Sequence, residues 1–302
     1  MRACYEQVSS RHRKKADAPC RRGRADGPAE HAVSWCVNAV CILYAAMLSA
    51  VFETCFLVFL GFHVLLNLGD RDDAWRMHNG YYGAFMVRFF WPFVRLRRRG
   101  LANLLRCGRG GGAYRLGSAD GFVRSAAVKG ARVPATGSVM MVTNHRSLFD
   151  IFFFGLATLP NVAVLVRSWP FDLPIFGWFM RRAGYIDIER VSFDEAAEMV
   201  VALSRRGVSF LCFAEGHRSR DGCLQRFQSG AFRLAVACNL PIVPVCIRGT
   251  ERLCAPGSHE FKPAYVTMEF FPAVDPCSFP DRNRALKLRR HVEGVLREYL
   301  GE

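Results

Sequence analysis

The stretch Val142–Asp150, VTNHRSLFD, places an imidazole and a carboxylate in a short polar segment between two apolar runs. His145 and Asp150 are five positions apart, a spacing that turns two side chains of a regular helix roughly 140° away from each other. They can meet if His145 lies in a turn and Asp150 in the first turn of the next helix. A carboxylate on one ring nitrogen then makes histidine a general base. The alternative is structural, because Ser147-x-x-Asp150 has the spacing of a capping box.

The sequence shows no obvious serine or cysteine that could act as the nucleophile. There is no G-x-S-x-G segment, so we expect a base at His145 to deprotonate a substrate hydroxyl, which then attacks directly. The 12 cysteines are irregularly spaced without a C-x-x-C pair, which argues against a zinc ribbon or a thioredoxin site. We expect buried, reduced thiols and no metal site.

Three further stretches carry residues that suit a binding site. In Phe213–Gly222, FAEGHRSRDG, a turn at Glu215 and Gly216 follows an apolar run and leads to Arg218. Arginine suits phosphate because its planar fork donates two hydrogen bonds, although a charged surface loop has the same composition. Arg167 follows a predicted strand and opens an aromatic segment, which is typical of a phosphate site with an apolar groove or of ordinary core. Leu240–Thr250, with two prolines, favours a buried strand.

The elements that must position these residues alternate between strand and helix from about residue 118 onward. This order predicts an α/β domain with a mostly parallel sheet flanked by helices, in which chemistry gathers beyond the carboxyl ends of the strands. The predicted strands are 138–142, 162–166, 185–188, 208–213, 242–247 and 265–271. The predicted helices are 147–158, 174–183, 193–205, 230–239 and 282–300.

The residues before this domain divide into three predicted parts. Residues 1–30 form a basic, disordered arm, and 31–69 a membrane anchor that is one spanning helix or a helical hairpin. A buried pair of helices is the alternative. Residues 70–117 combine a basic, aromatic interfacial segment with a Gly-rich linker. Its aromatic and arginine side chains suit a membrane interface or single-stranded nucleic acid, and the neighbouring anchor favours the membrane. The net charge of +15 indicates an anionic partner or surface, but it does not tell which kind.

At this point the sequence resembles the glycerolipid acyltransferases, in particular the 1-acylglycerol-3-phosphate acyltransferases. Four blocks appear in the family's order over residues 125–250: His145-x4-Asp150, PIFGWFMRRAGYIDIER, FAEGHRSR and LPIVPVCI. The first block of the family is N-H-x-S-x-x-D, which Asn144, His145, Ser147 and Asp150 match.

The resemblance implies a role for each matching position. His145 is the general base and Asp150 orients it, while the acceptor hydroxyl attacks an acyl thioester. Glu215, Gly216 and Arg218 match the block that binds the acceptor's phosphate. Arg190 matches the closing arginine of the second block, and Arg167 stands where the family often has lysine. Pro244 matches a proline associated with acyl-donor binding or packing.

Two departures fall in the third block, which usually reads F-P-E-G-T-R-S. Ala214 replaces the proline and His217 the threonine, and both changes fall in the block that the resemblance links to the head group of the acceptor. A lysine common in a later F-x-x-G element is Gln228 here.

The sequence therefore predicts an enzyme that acylates a lysophospholipid, most simply 1-acylglycerol-3-phosphate to phosphatidic acid. It is expected to need no cofactor beyond acyl-CoA or acyl carrier protein as co-substrate. We expect it on a membrane, with the catalytic domain facing the cytoplasm and no nucleic-acid partner. Alternatives are another acceptor such as lyso-ornithine lipid, a hydrolase of the same thioester, and a non-catalytic basic membrane- or nucleic-acid-binding protein.

Overall fold

A computed structural model describes the protein over most of its length. The described residues are 39–40, 43–44, 46–47, 49–58, 61, 71–89, 94–101, 103, 137–157, 161–219, 222–253 and 263–302. The predicted arm, residues 1–30, and the Gly-rich linker at 108–117 lie outside them.

A seven-stranded sheet forms the centre of the fold, in the order β1-β7-β6-β2-β5-β3-β4. Neighbouring strands are parallel except for β6 and β7, which are antiparallel, so the predicted mostly parallel sheet is confirmed. The strands are β1 Val94–Arg99, β2 Met140–Thr143, β3 Val162–Val166, β4 Ile186–Asp187, β5 Ser209–Phe213, β6 Ile242–Arg248 and β7 Ala264–Phe270.

Helices cover both faces of this sheet, as predicted for strands that are joined by helical crossovers. The labelled helices are α1 Arg71–Phe89, α2 Asp150–Ala157, α3 Pro174–Arg182, α4 Phe193–Arg205, α5 Gly230–Ala237, α6 Thr250–Leu253 and α7 Arg284–Leu300. Apolar side chains of α1 and α2 pack on one face and those of α4, α5 and α7 on the other.

The core lies on both sides of the central strands, which explains their unbroken apolar sequences. Met140 and Val142 of β2 face the core under α4, α5 and α7, whereas Met141 faces the core under α1 and α2. A strand with two buried faces needs apolar residues at every position rather than at alternate ones. Cys212 and Cys246 are buried free thiols in this core, and burial raises the pKa of each to about 12, so both are protonated at neutral pH.

The sheet begins earlier in the chain than residue 118, the boundary taken from the sequence. Val94–Arg99, VRLRRR, was expected in an interfacial segment but forms the edge strand β1, paired in parallel with β7. Val94 is buried and Leu96 half-buried, while the arginines between and after them point outward to varying degrees. Charged side chains of this kind protect an edge strand against further pairing, and they gave the segment its basic appearance.

Part of the predicted anchor, 31–69, is described and is helical at residues 49–58. This helical segment packs on α1: the ring centroids of Phe52 and Phe85 are 5.1 Å apart, and those of Phe56 and Trp75 5.0 Å apart. No helix in the described part of the chain has both the length and the apolar character needed to cross a bilayer.

Helices α1 and α2 approach each other closely because both present glycine at their contact. A Cβ atom added to Gly155 would lie 2.3 Å from the carbonyl oxygen of Gly80 and 3.0 Å from the Cα of Gly83. We expect Gly155→Ala to lower the free energy of unfolding by about 1–3 kcal/mol, because two backbones must separate. Denaturant unfolding measures the change.

A matched control for this substitution lies in α7. Gly294 is also helical, and a Cβ built on it meets no atom within 4 Å. Gly294→Ala should raise the free energy of unfolding by about 0.5–1 kcal/mol through helix propensity alone. Equal effects of the two substitutions would contradict the close helix contact.

Candidate active site

The polar turn between β2 and α2 brings the imidazole and the carboxylate together. The Nδ1 atom of His145 lies 2.8 Å from the Oδ2 atom of Asp150. The Asp150 side chain is fully buried, whereas 20% of the His145 side chain is exposed. Because β2 ends at Thr143 and α2 begins at Asp150, the histidine lies in the turn and the acid in the first helical turn, as the spacing requires.

Asp150 orients the histidine and caps the helix at the same time. Its Oδ2 atom also accepts the backbone N–H groups of Arg146, at 2.7 Å, and Ser147, at 2.9 Å. The bond from Ser147 is one half of the capping box that the sequence offered as a purely structural alternative. The two interpretations are therefore compatible, and the backbone donors hold the carboxylate in place beneath the imidazole.

This contact assigns the tautomer of His145. A carboxylate next to Nδ1 accepts a proton from it, so the lone pair of the neutral ring is on Nε2. The ring also lies against Phe213 at the end of β5, with centroids 4.2 Å apart. One nitrogen is thus occupied and one face is covered, which leaves Nε2 as the basic atom.

Asn144 attaches this turn to the sheet, a role that the sequence analysis did not find. Its Nδ2 atom donates to the carbonyl of Ile247, and its Oδ1 atom accepts the N–H of the same residue, both at 2.8 Å. The side-chain amide therefore continues the pairing of β2 with β6 beyond the end of β2. The partners are 103 positions apart, so no local pattern reveals the contact.

Glu215, just beyond β5, holds the backbone of the same turn. Its Oε1 atom accepts the N–H of His145 at 2.7 Å, and its Oε2 atom accepts the N–H of Gln225 at 2.8 Å. Burial raises the pKa of this carboxyl, and the two backbone donors partly oppose that effect. The resemblance placed this acid in the block that binds phosphate; in the structure its two oxygens join the histidine turn to the backbone at Gln225.

The residues after Glu215 fold over the histidine turn. Gly216 has φ +75°, a conformation that glycine adopts without strain, and the chain then brings the N–H of Ser219 to within 2.8 Å of the His145 carbonyl. His217 and Arg218 are exposed between these two points. Two cationic or potentially cationic residues therefore lie on the segment that bonds to the histidine turn.

Arg146 and Glu302 are further residues that only the structure brings together. The Nη2 atom of Arg146 lies 3.2 Å from Oε1 of Glu302, and Oε2 of Glu302 accepts the N–H of Leu224. Glu302 thereby joins the histidine turn to the segment that supplies Gln225 to Glu215. Arg146 and Glu302 are 156 positions apart, which places this contact beyond sequence reasoning.

Arg167 and Arg190 lie at the same edge of the sheet but further from the histidine. They follow β3 and β4, and β3 is two strands from β2, a separation of about 10 Å. Arg167 pairs with Glu189 at 2.7 Å, and Arg190 with Asp172 at 2.7 Å. All four side chains are at least 40% exposed, so the pairs are screened and the guanidinium groups remain accessible to an anion.

Pro244 lies inside the sheet rather than at its edge. It is buried in β6 opposite Val142 of β2, and its carbonyl accepts the N–H of Phe271 at 3.0 Å. These contacts are those of a packing residue.

Known proteins resemble this chain both in sequence and in fold. The family model described as Acyltransferase matches residues 125–248, which contain the His145 turn, Glu215 and all of β6. Over these residues the chain resembles the acyltransferase family. It is an O-acyltransferase.

Individual relatives agree with this assignment. A 1-acyl-sn-glycerol-3-phosphate acyltransferase of Limnanthes douglasii is 28% identical over 231 residues, which cover 74% of each chain. An uncharacterized acyltransferase of Schizosaccharomyces pombe is 34% identical over 130 residues, 41% of this chain and 47% of the relative.

A solved structure shares the fold. The crystal structure of the 1-acyl-sn-glycerophosphate acyltransferase PlsC from Thermotoga maritima superposes with a TM-score of 0.64 at 24% identity. The superposition covers 89% of this chain and 96% of that one.

Glu215 offers a test of how the acyltransferase holds its histidine turn. Glutamine keeps one oxygen acceptor but directs an NH2 group at the second backbone N–H, so Glu215→Gln should lower the free energy of unfolding by about 1–3 kcal/mol. Misplacement of the turn should also slow acyl transfer by about 10-fold to 100-fold. Chemical denaturation and initial rates measure the two effects. Glu298→Gln, an exposed change on α7, is the matched control, and a Glu215→Gln enzyme with unchanged rate would contradict this role.

Proposed function

We propose that the acyltransferase moves an acyl group from a thioester to the free hydroxyl of 1-acylglycerol-3-phosphate, which yields phosphatidic acid. The observation that carries the proposal is the contact of Asp150 with Nδ1 of His145, which leaves Nε2 as a base at an accessible edge of the sheet. The names of the relatives from Limnanthes douglasii and Thermotoga maritima support this acceptor.

In the proposed reaction His145 acts twice. Nε2 removes the proton of the acceptor hydroxyl as the oxygen attacks the thioester carbonyl, and a carbon–oxygen bond forms. The tetrahedral intermediate then expels the thiolate, the carbon–sulfur bond breaks, and the imidazolium returns its proton to sulfur. Asp150 stabilises the imidazolium between the two steps without taking the proton itself. Direct attack by the hydroxyl requires no nucleophilic side chain.

Arginine side chains at the same edge of the sheet as His145 bind the phosphate of the acceptor. Arg218 is exposed on the segment that bonds to the His145 carbonyl through Ser219, and Arg167 and Arg190 follow the neighbouring strands. A guanidinium group can donate two parallel hydrogen bonds to one phosphate. We assign Arg218 as the first phosphate contact, because Ser219 joins its segment directly to the histidine turn. Arg167 and Arg190 are the more distant contacts.

The test is acyl transfer by the purified full chain with a panel of lysolipids. The panel contains lysophosphatidic acid, lysophosphatidylcholine and lyso-ornithine lipid, each offered with acyl-CoA and with acylated acyl carrier protein. We expect phosphatidic acid to be the main product. Another acylated lysolipid as main product would overturn the acceptor, and free fatty acid without acyl transfer would indicate a thioester hydrolase instead.

We also infer that the enzyme works at a membrane, with its catalytic domain on the cytoplasmic side where acyl thioesters are made. Acceptor and product are both amphipathic lipids, so the site must be reached from a lipid surface. Fractionation of cells into membrane and soluble parts, followed by protease protection of intact inverted vesicles, tests the two statements separately.

A further inference from the structure

A groove of about 420 Å³ lies between α5 and α7, on the face of the sheet that these helices cover. On α5 it is lined by Ser229, Arg233 and Val236, which are four and three positions apart and therefore project from one side of the helix. On α7 it is lined by Leu286 and Arg289, again three positions apart. We call this feature the α5–α7 groove; the His145 turn, in contrast, lies at the edge of the sheet.

Two arginines of the α5–α7 groove have donors to spare. The Nη1 atom of Arg289 donates to the carbonyl of Phe227 at 3.3 Å, whereas its Nε atom is buried and has no partner among the described residues. Arg233 is exposed, and its guanidinium lies 4.5 Å from the ring centre of Phe193, a contact that uses the face of the cation and no N–H group. Each arginine carries five N–H donors, and a buried donor without an acceptor calls for a bound partner.

The charges around the groove do not cancel. Arg284 also lines it, but this guanidinium donates to the Phe279 carbonyl and forms an ion pair with Asp281, a carboxylate of the same lining. Arg233 and Arg289 are left with two positive charges. Guanidinium groups suit phosphate in particular, because the planar fork donates two parallel hydrogen bonds to its oxygens.

The rest of the lining is apolar. Val236, Ala285 and Leu286 are half-buried in the groove. A small inorganic anion would use the arginines and leave these aliphatic side chains unoccupied. A ligand that joins phosphates to a flat ring would use both parts, as ligand sites usually combine an apolar lining with a few well-placed polar groups.

A short series of contacts leads from the base to the groove. The ring of His145 lies against Phe213, with centroids 4.2 Å apart. The carbonyl of the next residue, Ala214, accepts the N–H of Gln228 at 2.7 Å, and Ser229 of the groove follows Gln228 directly. A long substrate can therefore have one end at the base and the other end in the groove. Coenzyme A is such a molecule, because its pantetheine arm separates the thioester sulfur from the phosphates and the adenine.

We propose that the α5–α7 groove binds the phosphorylated adenosine end of an acyl-CoA donor. Arg233 and Arg289 bind the phosphates, and Val236 and Leu286 pack against the adenine ring. The inference rests on the proposed function, because it places the second substrate of the same reaction. It also chooses between the two donors, since acyl carrier protein has a phosphopantetheine arm but no adenosine.

Binding of unacylated coenzyme A to the purified full chain tests the site without acyl transfer. We expect Arg233→Ser to raise the dissociation constant, measured by titration calorimetry, at least about tenfold, because hydrogen bonds to a charged group are lost. Adenosine 3′,5′-bisphosphate should compete with coenzyme A, and pantetheine should not. Equal affinity of wild type and variant, competition by pantetheine alone, or no binding of coenzyme A to the wild type would each overturn the proposal.

Kinetics with two donors test the consequence for the reaction. In Arg233→Ser, the ratio of kcat/KM for acyl-CoA to kcat/KM for acyl-pantetheine should fall at least about tenfold, because only acyl-CoA reaches the groove. An unchanged ratio would overturn the proposal. A greater loss with acylated acyl carrier protein than with acyl-CoA would also overturn it, because the groove would then bind an acidic carrier. If coenzyme A binds as expected but no donor yields phosphatidic acid, the proposed function fails and the site remains.

Arg290→Ser is the matched control for Arg233→Ser. Arg290 is an exposed arginine of α7 outside the lining, so its loss removes the same charge and should leave the dissociation constant and the donor ratio at their wild-type values. Equal weakening by both variants would assign the effect to the general positive charge of the protein and overturn the site. A second variant, Arg289→Lys, keeps the charge but loses the planar fork. It should also weaken coenzyme A binding, and the thermal midpoint confirms that each variant is folded.

Discussion

Replacing His145 with alanine is expected to slow acyl transfer by about 10²–10⁴-fold, the usual contribution of a positioned general base. The substitution removes Nε2, the basic atom, together with the ring that lies against Phe213. The fold should survive, because the Asn144 bonds to Ile247 and the N–H bond of residue 145 to Glu215 use atoms that alanine retains or does not affect. The initial rate of phosphatidic acid formation at saturating donor measures the loss.

The control for His145→Ala is His291→Ala, a histidine on the exposed surface of α7. It should keep the wild-type rate, which shows that the loss of an imidazole elsewhere is harmless. Circular dichroism and the thermal midpoint of both variants confirm that they are folded. Full activity of a folded His145→Ala enzyme would remove His145 from the mechanism and leave the family assignment without its base.

Asp150→Asn is expected to have an effect of similar size, about 10²–10⁴-fold on kcat, by a different route. The amide can direct its NH2 group at Nδ1 of His145, which moves the ring proton to Nε2 and leaves the base without a lone pair where the hydroxyl arrives. The KM for the lysolipid should change little, because Asp150 is fully buried and does not reach the substrate. Steady-state kinetics separate the two parameters.

The substitution Asp150→Asn should also lower the stability of the protein, because Asp150 accepts two backbone N–H groups. The same Oδ2 atom faces Nδ1 of His145, so an NH2 group in its place leaves both backbone N–H groups without an acceptor, and the free energy of unfolding should fall by about 2–5 kcal/mol. Asp194→Asn is the matched control: it removes a first-turn acid from α4 without a histidine contact and should affect neither kcat nor KM. A kcat loss that disappears when the assay temperature is lowered would assign the effect of Asp150→Asn to unfolding rather than to the tautomer.

The secondary structure from β2 onward was predictable because its signals are local. Unbroken apolar runs such as Val162–Val166 identify strands with two buried faces, and α4 has a complete capping box in which Ser192 accepts the N–H of Glu195. The predicted ends of β3 and α4 agree with the observed ones, and those of the other predicted elements differ by up to three residues. The N-terminal boundary of the domain was misplaced, because VRLRRR has too few apolar residues to stand out as a strand until β7 provides a partner.

The contacts of the site can likewise be divided into a local one, which the sequence predicted, and long-range ones, which it did not. The contact of His145 with Asp150 spans five positions in one turn, so the residue types and their spacing determined it without knowledge of the rest of the chain. The contacts that hold this turn span much longer distances: Glu215 to the N–H of His145 over 70 positions, Asn144 to Ile247 over 103, and Arg146 to Glu302 over 156. Only tertiary structure decided these contacts. Strand order brings distant chain ends to one edge of the sheet, and strand order depends on packing between elements that no local pattern records.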